Sequence, residues 1–335
     1  MFNNQSAVRR NLIISVLFFL AIFTVGTYVG AYNQGQIAVA LTLFIGVLSI
    51  NILTGLSGQL SLGQGALMAV GGYACALLMN SAHLNMWLAI PLSLIASALI
   101  GLLLGLVAAK LSGPYLAGTT LVLALAMPTV ANKFDSVLGG DSGLSIDTGM
   151  PPAWLTKLLG DIAIEQWNLY VSLPFAAIAL YFAANLFSSR SGRRWRAVRD
   201  NESAAALVGI NVSRTKISVF VISSAFAGVS GALYGLRGLV GPSVFAISLS
   251  LSLLTGSILG GMRSIVGAGL GSVIIVFLPD WIGKAVHPFA LADQVTNYLP
   301  ALISGLLLVL TVIINPAGLA SVFGRLFARL RVKRS

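Results

Sequence analysis

Charge is scarce in this chain. Of its 335 residues only 9% are charged, and the nine Asp and Glu stand against 20 Lys and Arg. Water-soluble domains carry roughly a quarter of charged residues, so a soluble fold is excluded. With 57% hydrophobic residues and a mean hydropathy of +0.93, the chain reads as a polytopic, all-α membrane protein. Cysteine is almost missing too, and the single Cys75, in an apolar run, rules out an intramolecular disulfide and reads as small packing filler. Two isolated histidines, His83 and His287, fall in expected external turns, so no metal or cofactor is expected. There is no phosphate-binding loop with its lysine, which means that the chain does not hydrolyse ATP by itself. The net charge of +11 belongs to no soluble basic face, so nucleic acid is not an expected partner, whereas the lipid bilayer is.

What is present in quantity is apolar sequence. Segments long enough to approach the ~30 Å of hydrocarbon are expected at 11–31, 37–53, 64–82, 86–109, 114–133, 167–188, 213–236, 246–262, 264–283 and 298–314, about ten spans. The first, with Arg9 and Arg10 ahead of it, resembles the start of a signal peptide but reads as an uncleaved span. Ten spans put both termini on one side. If that side is the cytoplasm, 16 of the 20 Lys and Arg lie inside and only Lys133, Lys157, Arg237 and Lys284 outside, the asymmetry expected of a correctly oriented membrane protein.

Almost no charge falls deep in a span, which argues against an ion-coupled secondary carrier, a class that keeps titratable groups there. Asp280, between Pro279 and Trp281, reads as interfacial. No cluster of acids or histidines at one face suggests a membrane enzyme for lipid-linked substrates. Gly101/Gly105, Gly231/Gly235, Gly256/Gly260 and Gly267/Gly271 make small-xxx-small steps that predict close helix crossings. Gly267-Ala268-Gly269-Leu270-Gly271 is read the same way, since no soluble strand-to-helix unit surrounds it.

Three polar segments interrupt the apolar runs. Asn51 to Gly65 combines Gly55, Gly58, Gly63 and Gly65 with Ser57, Gln59, Ser61 and Gln64. It is either a broken helix lining a substrate path or a tight cytoplasmic turn with a glycine-rich helix start. On the first reading the translocation candidates are Ser57, Gly58, Gln59, Ser61, Gly63 and Gln64. Segment 134–166 is a long external loop with Gly139-Gly140-Asp141-Ser142-Gly143-Leu144 and Pro151-Pro152, long enough to meet a partner. Segment 189–212 is a basic cytoplasmic loop in which Arg199 to Ile210 reads as a short amphipathic helix stopped by Gly209. Its block Ser203-Ala204-Ala205-Ala206 suits a partner's groove, although a basic loop can also act simply as a topology determinant. A basic tail, 317–335, closes the chain.

These blocks resemble the branched-chain amino acid ABC transporter permeases, in particular the larger of their two membrane subunits (LivM type). The resemblance covers most of the chain. It rests on Gly55 to Gly65, Gly139 to Leu144, Arg199 to Asn211, Leu259 to Gly271 and the closing Asn315-Pro316-Ala317-Gly318-Leu319. It implies a single permease domain, 1–335, in the inner membrane. It also implies a coupling helix that enters an ATPase groove, with Arg199, Asp200, Asn201, Glu202, Ser203, Ala204, Ala205 and Gly209 as the coupling residues. Ser203 stands where the broader pattern has glutamate, with Glu202 one residue earlier. The implied partners are ABC ATPase subunits, a second permease subunit and an extracytoplasmic substrate-binding protein. Substrates implied by the resemblance are branched-chain amino acids, with other amino acids, urea and short amides as alternatives.

Overall fold

The computed structural model describes residues 3–286 except 112, 147–150, 153–154 and 158–161, together with scattered residues between 299 and 321. The described residues are helical almost throughout. In order, the helices up to residue 286 with both ends described are α1 (Asn3–Tyr28), α2 (Ala31–Ile50), α3 (Gln64–Asn80), α4 (Met86–Ala108), α5 (Pro114–Lys133), the single turn α6 (Asp135–Leu138), α7 (Ile164–Ser188), α8 (Arg190–Asp200), α9 (Glu202–Leu207), α10 (Val212–Gly235), α11 (Ile247–Gly260) and α12 (Ile265–Val286). A π-helical turn, Asn51–Leu56, prolongs α2. Two-residue strands, β1 (Leu144–Ser145) and β2 (Leu239–Val240), pair antiparallel and tie the 134–166 segment to the loop after α10.

Each of the first nine expected segments coincides with a helix, and the tenth, 298–314, is described only at scattered residues, which are helical. Seven helices among the described residues are long and apolar enough to cross a membrane. The two shorter ones differ from expectation in length: α3 has 17 residues and α11 has 14. At 1.5 Å per residue they reach only about 25 and 21 Å, short of ~30 Å of hydrocarbon. Both are preceded by non-helical backbone, over 58–63 and 236–246.

Helix α2 is apolar on every side, and such a helix must be enclosed. It is: 94% of its span is buried, against 17% for α1, which lies at the outside of the bundle. Helices α3, α7, α10, α11 and α12 surround it. In α4 the exposed face is leucine-rich, whereas Ala89, Ser93, Ser97, Gly101 and Gly105 recur every fourth residue and are turned inward. With no Cβ or a small one, this ladder brings α4 against α10. A Cβ on Gly101 would strike Ser224, and one on Gly105 would press on Phe220 and Ile217. The expected pairs Gly256/Gly260 and Gly267/Gly271 face each other across α11 and α12, backbone against backbone.

The π-helical turn is anchored by Asn51, which is fully buried. Its Nδ2 donates to Ser264 O at 2.9 Å and Gly261 O at 3.3 Å, and its Oδ1 accepts from Ser257 Oγ at 2.6 Å. This amide therefore pins the end of α2 to the α11–α12 turn. An Asn51→Leu variant strands those partners in the interior, at about 1–3 kcal/mol for each unsatisfied group. It should lower the melting temperature of the detergent-purified protein by several degrees; a thermal denaturation curve unchanged from wild type would contradict this role.

Candidate functional site

The polar island turns out to have two parts. Gly58, at φ +72°, and Leu60 form an exposed turn beyond the π-helical segment, after which Ser61 to Gln64 run back into the interior. The left-handed φ at Gly58 is one that glycine adopts without strain. The depth of the return is set by Gln64, whose Nε2 donates to Ser49 Oγ at 2.9 Å and Ser223 Oγ at 2.6 Å. Ser49 precedes Leu56 by seven residues, roughly 10 Å along a helix. The start of α3 thus lies inside the bundle and not at its surface.

Around it the chain supplies hydroxyls. Ser223 Oγ donates to Ser49 O, Gly65 N donates to Ser250 Oγ at 2.8 Å, Leu62 N donates to Thr120 Oγ1 at 3.0 Å, and Gly63 N donates to Ser61 Oγ at 3.3 Å. On the turn side, Ser57 Oγ donates to Leu53 O, Gln59 Nε2 donates to Ser57 Oγ, and Thr54 Oγ1 donates to Gln59 O. Irregular backbone at membrane depth is tolerated where it is enclosed by protein, and this one is. Two acceptors remain without a donor in this arrangement, Gln59 Oε1 and Gln64 Oε1, both buried. Buried acceptors without partners are uncommon and cost free energy.

The basic loop is two helices where the sequence suggests one. Asn201, at φ −162° and ψ 110°, breaks the helix, and its side chain accepts from Ala204 N at 2.9 Å to cap α9. Arg199 and Asp200 consequently belong to α8. Helix α9 ends in a Schellman motif, with Ile210 N donating to Ala205 O and Gly209 N to Ala206 O, and with Gly209 at φ +82°. Ser203, Ala204 and Ala206 are exposed, Ala205 is buried, and Leu207 and Val208 project as apolar side chains that are 89% and 76% exposed.

Helix α8 is amphipathic, with Trp195 and Val198 buried and Trp195 Nε1 donating to Ser218 Oγ on α10. Its arginines have separate tasks. Arg193 Nη1 and Arg196 Nη1 donate to the carbonyls of Ser188 and Phe187 and so close the end of α7. Arg199 reaches the other way: Nη1 donates to Gly55 O at 2.7 Å, while Nε and Nη2 hold Asp200 Oδ1. Its stem packs where a Cβ on Gly58 would sit. A second tie runs through α10. Lys216, buried, pairs with Glu202 at 2.7 Å, and its carbonyl accepts from Gln59 Nε2 at 3.5 Å.

The structure therefore brings the two sets of expected site residues together at one end of the bundle: Gly58 meets Arg199 directly, and Gln59 is linked to Glu202 through Lys216. It also adds residues that the sequence reading passed over, namely Lys216, Ser49, Ser223, Ser250 and Thr120. Serines and a lysine inside apolar helices were the available signal. Asp280 sits near the far end of α12, where it accepts from Tyr32 Oη at 3.0 Å and pairs with Lys284 at 2.8 Å. His83 lies in an exposed turn, and among the described residues no three His, Cys, Asp or Glu gather to hold a metal.

A bundle with an enclosed central helix, a re-entrant polar segment and an attached surface helix is the architecture of a multi-pass membrane protein. Residues 32–314 match the family model described as branched-chain amino acid transport system / permease component, and the chain belongs to that family. It is 29% identical over 294 residues to the high-affinity branched-chain amino acid transport system permease protein LivM of Salmonella typhimurium, and 30% identical over 293 residues to LivM of Escherichia coli. In both cases the match covers 81% of this chain and 68% of the relative. The probable branched-chain amino acid transport permease protein LivH of Methanocaldococcus jannaschii is 26% identical, over 80% of this chain and 84% of its own length. No solved structure matches the chain. The chain is a transport permease.

Proposed function

We propose that this chain is a membrane subunit of an ATP-binding cassette importer carrying branched-chain amino acids across the inner membrane, with ATP hydrolysed on separate subunits. Its working parts are α9, which docks into an ATPase subunit, and the re-entrant segment Ser57 to Gln64, which borders the substrate path. The observation that carries this reading is the double tether. Arg199 joins the end of α8 to Gly55, and Lys216 joins Glu202 on α9 to the neighbourhood of Gln59, so that a push on α9 reaches the polar segment without crossing a flexible loop.

In this arrangement both termini and the 189–212 loop face the cytoplasm, as the Lys and Arg asymmetry favours. The 134–166 segment faces outward, where an extracytoplasmic binding protein delivers cargo, and a second permease subunit completes the passage. Gln59 Oε1 and Gln64 Oε1, acceptors awaiting donors, suit a cargo bearing N–H groups, which an amino acid, urea or a short amide all supply.

Gly209 offers the direct test. No atom lies within 4 Å of a Cβ at this position, so a side chain starts out from Gly209 into open space. Its left-handed φ costs a non-glycine residue about 1–2 kcal/mol, and a large group there projects into whatever receives α9. In the reconstituted complex, Gly209→Trp should insert normally but lose ATP-driven leucine uptake by at least about tenfold, the equivalent of 1.4 kcal/mol. Full uptake by the variant would refute the docking role of α9. Leucine uptake that survives removal of the ATPase subunits would refute the importer class.

A further inference from the structure

Beside α9 a cavity of about 640 Å³ opens between α8 and the first two turns of α10. The turn 208–211 forms one wall, and Ser191, Arg194, Trp195, Arg214, Thr215 and Ser218 line much of the rest. Its charge is one-sided. Arg193, Arg196 and Arg199 are spent on the Ser188, Phe187 and Gly55 carbonyls, and the two acids of the loop are engaged elsewhere, Asp200 by Arg199 and Glu202 by Lys216. Among the described residues, Arg194 and Arg214 face the cavity with no carboxylate to neutralise them. Trp195, locked by its bond to Ser218, gives the cavity a rigid, partly apolar floor.

Two guanidinium groups at one cavity match an oxyanion that can accept several N–H donors at once, and phosphate is the anion for which the arginine fork is best suited. Depth narrows the source. Helix α10 has 24 residues, about 36 Å, longer than the ~30 Å hydrocarbon layer, and the charges Arg214 and Lys216 in its first two turns suit the end that leaves that layer, at headgroup level. Basic pockets between helices at that level take phospholipid headgroups. We propose that this cavity binds a phosphate-bearing anion, its depth favouring the headgroup of an anionic phospholipid, and that the bound phosphate clasps α8 to α10 beside the 208–211 turn. This does not depend on the transport reaction assigned above.

The full chain can be tested in lipid nanodiscs and by native mass spectrometry after partial delipidation. Wild type should retain phosphatidylglycerol in preference to phosphatidylcholine. An Arg194→Gln/Arg214→Gln variant should lose that retention about tenfold or more, while Arg9→Gln/Arg10→Gln, which removes equal charge elsewhere, should not. A parallel arm titrates inorganic phosphate into phosphatidylcholine nanodiscs and reads the fluorescence of a chain in which Trp195 is the sole tryptophan. A saturable change that the double variant lacks would assign a soluble phosphate as the source. Should the double variant fail to fold, Arg194→Gln alone, on the exposed face of α8, carries the same comparison. Equal lipid retention by wild type and variants, with no phosphate response, overturns the proposal.

Discussion

Gly231→Leu is expected to abolish accumulation of correctly folded protein in the membrane. Helices α3 and α10 cross so closely that a Cβ at Gly231 would land on the backbone carbonyl of Met68, and one at Gly71 on that of Gly228. Backbone cannot rotate aside as a side chain does, so relief requires the two helices to separate along their whole contact. Overpacked cores typically lose about 1–3 kcal/mol; separation here also removes the contacts of α4, which rests on the same stretch of α10 through Ser97 and Gly228. Little other than packing holds apolar helices together in lipid. The check is membrane-fraction yield and the size-exclusion profile in detergent, with Gly283→Leu as the companion. A Cβ at Gly283 meets nothing within 4 Å, and the change improves helix propensity by somewhat under about 1 kcal/mol. Equal monodisperse yields from both variants would show that the crossing is not what the structure depicts.

That crossing was readable in part from the chain alone. Apolar runs placed nine helices because length and hydropathy are local properties, and Gly231 stood out because glycine spaced by four in a span has few other uses. Its partner was not readable, since nothing within α10 specifies Met68 as the residue it meets. The same limit governs the site. Asn201 was visible as a residue in a polar run, yet the helix break it makes depends on the side chain accepting from Ala204 N in preference to continuing the α8 ladder. Gly58 and Arg199 are each singled out by the sequence for different roles, Gly58 on the candidate translocation path and Arg199 in the coupling region. Their contact spans 141 positions (199 − 58) and follows from the docking of α8 beneath α2, which no local periodicity encodes. Lys216 was counted with the positive charges of the cytoplasmic side, although it is buried and paired.

Arg199→Ala should separate insertion from transport most sharply. Arg199 has a side chain only 16% exposed, and it bridges the coupling region and the π-helical turn with a bond to Gly55 O in which the donor is charged. Such bonds contribute about 1.5–3 kcal/mol, enough for a tenfold or larger loss in a step that depends on the bridge. Membrane yield should stay near wild type, because the helices that carry the bundle, α2, α3, α4 and α10, keep their crossings. Asp200→Asn provides the contrast: its carboxylate is 65% exposed and pairs at the surface, where ion pairs are worth little. It should leave uptake largely intact. Arg199→Lys should recover only part of the activity, since one ammonium cannot reproduce both the bond to Gly55 and the fork on Asp200. The informative readout is the ratio of substrate moved to ATP hydrolysed in the reconstituted complex. If α9 moves the Ser57–Gln64 segment through Arg199, hydrolysis continues in the alanine variant while uptake falls, so the ratio drops with it. A ratio held at the wild-type value, whatever the absolute rates, would mean that the stroke reaches the bundle by Lys216 alone or by another route.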